Sequence, residues 1–206
     1  MSFTVGFDLD MTLIDPRPGM IALFEVLSAE TGHPLDGAAF ASRLGPPLVV
    51  ELGRYGFDEP TVEDLVTRFR ARYCEIVIPM TVALPGAAEA IDTVRAHGGR
   101  SLVVTAKNEP HARVHLERLG LVVDDVVGSV FGAEKSAALR SAGAEVYVGD
   151  HLGDINGARG ADAMAVGVAT GPISGEDLAS AGADVVLGDL TAFPAWLSSY
   201  LLATVH

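Results

Sequence analysis

The sequence predicts an α/β protein: a doubly wound parallel sheet with an α-helical block inserted behind its first strand. Short apolar runs at 5–7, 102–104, 126–130, 146–148, 165–168 and 185–187 alternate with helix-like stretches at 87–97, 110–119, 135–141, 154–161 and 175–181. Strands that are apolar throughout and separated by helices belong to a parallel sheet covered on both faces, here a Rossmann-like core. The region 16–79 breaks that rhythm, with helical patterns and no strand between them. A helical insert at this point is expected to form a cap over the sheet.

The first strand is entered almost at once from Met1, with no basic segment before the apolar run, so no signal peptide is expected. Within the insert, Met20, Ile21, Phe24 and Leu27 fall at helical spacing, as do Leu65, Phe69, Tyr73 and Ile76. Pro46-Pro47 and Gly56 punctuate the segment. Asp15-Pro16 and the stretch from Pro79 to Pro85 read as hinges, which divides the chain into a catalytic core of 1–15 and 80–206 and a cap of 16–79. A packed helical subdomain without motion is the plainer alternative.

Composition narrows the function classes. The chain has 206 residues, 49% of them hydrophobic, which suffices for one buried core plus an insert. A net charge of −13 argues against nucleic acid or an anionic membrane as partner, because both need a basic face. No uncharged apolar stretch approaches the ~18 residues of a membrane span, and a cytoplasmic protein is expected. Cys74 is the only cysteine, which leaves no internal disulfide and no cysteine metal cage.

The chemistry gathers at strand ends, where open parallel sheets hold their ligands. The first strand runs into Phe7-Asp8-Leu9-Asp10-Met11-Thr12. Residues i and i+2 of an extended chain point the same way, so Asp8 and Asp10 can face one cleft while Leu9 turns inward. A second acidic cluster, Gly149-Asp150-His151-Leu152-Gly153-Asp154, follows the strand at 146–148. Gly149 would let backbone approach a ligand, and Asp154 is placed to cap the helix beginning there. Acids from two strand ends form a hard-cation site, and magnesium takes a few carboxylate oxygens together with water and phosphate.

Two further elements suit an anion. Thr105 ends the strand at 102–104 with a hydroxyl and backbone N–H groups before a helix start. The chain has twelve arginines but only two lysines, Lys107 after that strand end and Lys135 at the start of another helix. So sparing a use of lysine invites a functional reading, against the plain one of solvated side chains.

Four elements in this order resemble the haloacid dehalogenase superfamily, in particular its phosphatases with a helical cap. They are D-x-D-x-T at Asp8, Asp10 and Thr12, a strand-end threonine at Thr105, a lone lysine at Lys135, and G-D-x-x-x-D at Gly149, Asp150 and Asp154. Leu84-Pro85-Gly86, Val103-Val104-Thr105-Ala106-Lys107 and Gly45-Pro46-Pro47-Leu48 are similar to segments of its phosphoglycolate-phosphatase-like branch. The resemblance implies Asp8 as nucleophile, Asp10 as acid and base, and Lys135 as a catalytic charge. It implies phosphate contacts from Thr12, Thr105, Ala106 and Lys107, and Mg2+ held by Asp8, Asp10 (through its carbonyl), Asp150 and Asp154. Asp10 separates phosphatases from dehalogenases, because a phosphate ester needs its leaving alkoxide protonated and a halide does not. Met11 in place of the usual Gly, Ala106 in place of Asn and the absence of Pro after Lys135 depart from the pattern.

The expected function is magnesium-dependent hydrolysis of a small phosphorylated metabolite, a phosphoglycolate-like monoester, through an aspartyl phosphate. A phosphomutase of the same family, β-phosphoglucomutase-like, or a non-catalytic binding module are the alternatives. Arg17, Arg43 and Arg54 in the cap are candidates to meet a substrate carboxylate, and His151 to line the cleft; ordinary solvated positions are the alternative for each. The other histidines, His33, His97, His111, His115 and His206, are scattered and suggest no metal set.

Overall fold

The computed structural model describes residues 3–204, which leaves Met1, Ser2, Val205 and His206 outside the described residues. The chain opens on β1 (Thr4–Phe7), buried at every position, and a two-residue strand β2 (Ile14–Asp15). Four helices follow: α1 (Arg17–Thr31), α2 (Gly37–Ala41), α3 (Leu48–Gly53) and α4 (Glu59–Met80). The chain then returns through β3 (Val82–Ala83) to α5 (Ala87–Ala96), β4 (Arg100–Val104), α6 (Glu109–Leu119), β5 (Asp125–Val127) and α7 (Ala133–Ala142). It continues as β6 (Ala144–Gly149), α8 (Leu152–Gly160), β7 (Met164–Val168), α9 (Gly175–Ser180) and β8 (Val185–Leu187). A 3-10 turn at Leu190–Ala192 leads into α10 (Phe193–Thr204).

Six strands pair in parallel in the order β5-β4-β1-β6-β7-β8, so the fold is the doubly wound α/β sheet that the alternation implies. β1 lies between β4 and β6, which brings three strand ends side by side. Alternation then decides which layer each side chain joins. Val5, Phe7, Val103, Val146, Val148, Val166 and Val168 face one layer, closed by α5 and α10. Leu102, Val104, Tyr147 and Ala165 face the other, with Leu139 of α7 and Ile155 of α8. The insert has an apolar cluster of its own, built on Leu23, Phe24, Leu27, Leu65, Phe69 and Tyr73. Each large apolar side chain buried this way contributes about 1.5–3 kcal/mol.

The connections differ from the expectation in instructive ways. β2 and β3 pair antiparallel, so the two strands leading into and out of the insert form one short ribbon. Two-residue strands carry too little pattern to be read. Pro79 lies inside the last turn of α4, which ends at Met80 with Thr81 as its C-cap. The strand expected at 126–130 stops at Val127, because Gly128 packs against the backbone of Glu109 and Ser129 takes a positive φ of 60°. Gly86, at φ 82°, caps the start of α5, and a Cβ there would collide with the backbone of Leu190 and Thr191.

Candidate active site

Parity along β1 decides what each side chain meets. Val5, Phe7 and Leu9 are buried in the α5/α10 layer, so Asp8 emerges toward the side covered by α7 and α8. Lys135, in the first turn of α7, reaches it from that side: Nζ donates to Asp8 Oδ1 at 3.0 Å and to Asp154 Oδ1 at 2.6 Å. The lysine is itself buried, and its third donor goes to the Tyr147 hydroxyl at 3.1 Å. Tyr147 in turn donates to the carbonyl of Val104 at 2.7 Å, which ties α7 to β4 and β6. Lys135 is therefore a fully engaged cation between two carboxylates, and the solvated alternative does not hold.

Asp8, Asp150 and Asp154 are buried and offer oxygens that lie within 4.8 Å of one another. Burial pushes the Asp8 carboxyl up to about 7; Lys135 opposes the rise, while Asp154 and Asp10 add to it. Asp150 is raised as well, by burial first and then by Asp154 and Asp8. One lysine does not neutralise three buried acids, and an all-oxygen set with surplus negative charge fits a hard divalent cation.

Thr12 and Asp154 are each tied to another residue of the site. The Thr12 hydroxyl donates to Asp150 Oδ1 at 3.0 Å, so it orients that carboxylate. Helix α8 starts two residues before Asp154, with His151 as its N-cap and Asp154 as the third helical residue. Asp154 thus caps the helix as expected, from the third helical position of a capping box whose N-cap is His151. His151 Nδ1 accepts from the N–H of Gly153 at 3.0 Å, and Asp154 Oδ2 accepts from the N–H of His151 at 3.1 Å. Asp154 spends its other oxygen on Lys135, so besides lying within reach of an ion it fixes the lysine. Gly149 is needed for this approach: a Cβ there would collide with the Asp154 carboxylate rather than with a ligand.

A cavity of about 240 Å³ opens from these strand ends toward the insert. Asp8, Asp10, Thr105, Ala106 and Lys107 line its floor, and Met20, Phe40, Leu44, Pro46, Pro47 and Phe69 its far wall. Arg17, Arg43 and Arg54 do not line it: Arg17 pairs with Asp15 at 2.7 Å, and Arg43 and Arg54 both pair with the buried Glu51. Arg70, on α4, is the arginine of the insert that does. Sequence reasoning passed over it because α4 carries three arginines within five residues, and periodicity ranks none above its neighbours.

Lys107 is buried too, with Nζ 3.0 Å from Asp10 Oδ1 and hydrogen-bonded to the Tyr73 hydroxyl. Tyr73 bonds on to His115 Nε2 at 2.8 Å. Burial holds the His115 imidazole down to about 2, with the Lys107 charge adding to the effect, so the ring is neutral. Its Nδ1 is buried without a partner. Tyr73, His115 and Tyr147 were missed as site residues; the available signal was a lone hydroxyl or imidazole in an apolar stretch, which must find a partner when buried.

A depressed imidazole has a consequence for stability. An unfolded chain protonates His115 below about pH 6.5, whereas the folded chain resists until about 2. Between those values the unfolded state binds more protons, so His115 costs stability as pH falls through 6.5, by up to about 1.4 kcal/mol per pH unit. Urea midpoints measured at pH 7.5 and 5 should therefore fall further for the natural chain than for His115→Gln. Equal drops would show that the histidine takes up a proton in the folded state.

Comparison with known proteins agrees with this geometry. The model of the haloacid dehalogenase-like hydrolase family matches residues 5–159. A phosphoglycolate phosphatase of Rhodospirillum rubrum is 33% identical over 96% of this chain and 91% of its own. A tyrosine-protein kinase, PtkA of Mycobacterium tuberculosis, is 30% identical over 79% of this chain and 61% of its own. A solved structure of a predicted phosphatase from Clostridium acetobutylicum superposes with a TM-score of 0.83 at 22% identity, covering 97% of this chain and 99% of its own, which speaks to the fold. The chain belongs to the haloacid dehalogenase-like hydrolase family, with phosphatases among its relatives.

Proposed function

We propose that the protein is a magnesium-dependent phosphatase of small phosphorylated metabolites, of the phosphoglycolate kind, working through an aspartyl phosphate on Asp8 under a cap formed by 16–79. The carrying observation is the buried set of Asp8, Asp150 and Asp154 with Lys135 among them, of which Asp8 reaches the floor of the cavity. Asp8 attacks phosphorus, since a carboxylate already paired with an ammonium is held in place and excluded from bulk water. Lys135 shares its charge between Asp8 and the incoming phosphoryl oxygens, where positive charge counts most in the transition state. Asp10 gives its proton to the leaving oxygen and later takes one from the water that hydrolyses the acyl phosphate. The Thr105 hydroxyl and the N–H of Ala106 offer donors to the remaining oxygens, while the Lys107 N–H is given to Thr105 Oγ1 and fixes the loop. Asp8 and Asp150, with the Asp10 carbonyl and with Asp154 beside them, would hold the magnesium, which would supply neutralisation and orientation of the phosphate.

The relative from Rhodospirillum rubrum supports a phosphoglycolate-like substrate, and Arg70 supplies a cation on the wall of the cavity. Phosphate release from phosphoglycolate and from a generic aryl phosphate should require magnesium and stop reversibly in excess chelator. Magnesium should also raise the melting temperature of the natural chain and leave that of Asp150→Ala unmoved, a readout that does not depend on turnover. Full activity in excess chelator would overturn the reading.

A further inference from the structure

We propose that Lys107, held by Tyr73 of the helical insert, positions Asp10 for proton transfer, so that seating of the insert and alignment of the acid are a single event. The inference rests on the phosphatase reading above and deepens it. The chain's two lysines are divided between its two strand-end acids: Lys135 Nζ lies 3.0 Å from Asp8 Oδ1, and Lys107 Nζ lies 3.0 Å from Asp10 Oδ1. Asp10 Oδ1 is buried, and the Lys107 ammonium is the charge that meets it. The ammonium thus holds this oxygen in place on a carboxylate that lines the cavity.

A lysine alone is a poor positioning device, because its stem rotates freely. Tyr73 removes that freedom. The lysine donates to its hydroxyl, the ring stacks on His111 with centroids 4.2 Å apart and planes at 6°, and the hydroxyl reaches His115. His111 and His115 stand one turn apart on α6, beside the strand end that carries Lys107, whereas Tyr73 belongs to α4 of the insert. The path Asp10, Lys107, Tyr73, His115 therefore leaves the core, passes once through the insert and returns to the core. If the insert lifts, Tyr73 leaves with it and Lys107 loses the partner that fixes it. The carboxylate then sits beside a mobile cation, and a displacement of about 1 Å in a catalytic group can cost on the order of 10²-fold in rate.

The dependence on leaving group separates positioning of the acid from a structural role. Phenolate needs its proton far more than p-nitrophenolate does, while the two phosphate esters are close in size. In the presence of magnesium, Tyr73→Phe keeps the ring on His111 and should lose on the order of ten-fold more kcat/KM on phenyl phosphate than on p-nitrophenyl phosphate. Lys107→Met should show the same skew, and Asp10→Asn a steeper one. A Tyr73→Phe protein that loses both substrates equally, or neither, while Asp10→Asn shows the skew, would overturn the positioning role and leave the phosphatase reading standing. Absence of turnover by the natural chain on both esters would overturn that reading, and this proposal with it.

Discussion

Asp8→Asn should bring turnover to background while the protein still folds. The substitution keeps shape and removes the negative charge that attacks phosphorus, so the covalent route closes. The fold has reason to survive: burial already disfavours the charged form of Asp8, so a neutral amide in that place relieves repulsion from Asp154 and Asp10 as it gives up the attraction of Lys135. Steady-state phosphate release and a thermal melt on the same sample check both halves. A variant retaining a tenth of natural turnover would rule out a nucleophilic Asp8.

Lys135→Ala should damage both turnover and stability. Loss of one preorganised contact to a phosphoryl oxygen typically costs ~2.7–4 kcal/mol, roughly 10²–10³ in kcat. The structure adds a second effect. Lys135 is the ammonium that bonds both Asp8 and Asp154, and removing one partner of a buried pair typically destabilises by about 3–5 kcal/mol. Arginine should rescue poorly, since a planar fork does not fit among Asp8, Asp154 and the Tyr147 hydroxyl. Urea unfolding with kinetics below the transition gives the two numbers separately. Near-normal turnover would place the third motif on another residue.

How much of this was legible in the sequence depends on the range of the interaction. The six sheet strands were readable because β1, β4, β6 and β7 are buried on both faces and therefore apolar at nearly every position. The acids stood out because Asp8 and Asp150 lie where a strand stops, a place that local pattern reveals. The two lysines were visible through rarity alone. What they touch was not, since Lys107 to Tyr73 spans 34 positions and Lys135 to Asp8 spans 127. Pairings at that separation follow from topology and leave no periodic trace. Helix α10 also went unread, because its apolar residues are spread around the helix instead of forming one stripe.

Met11, between Asp10 and Thr12, adopts a backbone conformation that a side chain rarely takes. Its φ is 61°, a left-handed conformation that disfavours a side chain, and the Thr170 hydroxyl holds its carbonyl at 2.5 Å. The side chain is 1% exposed and packs in the apolar cluster of the insert, with Met20, Leu23 and Tyr73. The frontier between the two bodies thus runs through side chains and does not coincide with the points where the backbone crosses. A residue of the nucleophile loop is a member of the other body's interior. Excising 16–79 at the ribbon would strand that side chain in water beside Asp10, and the modularity suggested by the chain's course is not a modularity of packing. A minimal core of this protein would have to be cut with Met11 replaced by glycine, which takes the same φ without strain and leaves no apolar side chain in water.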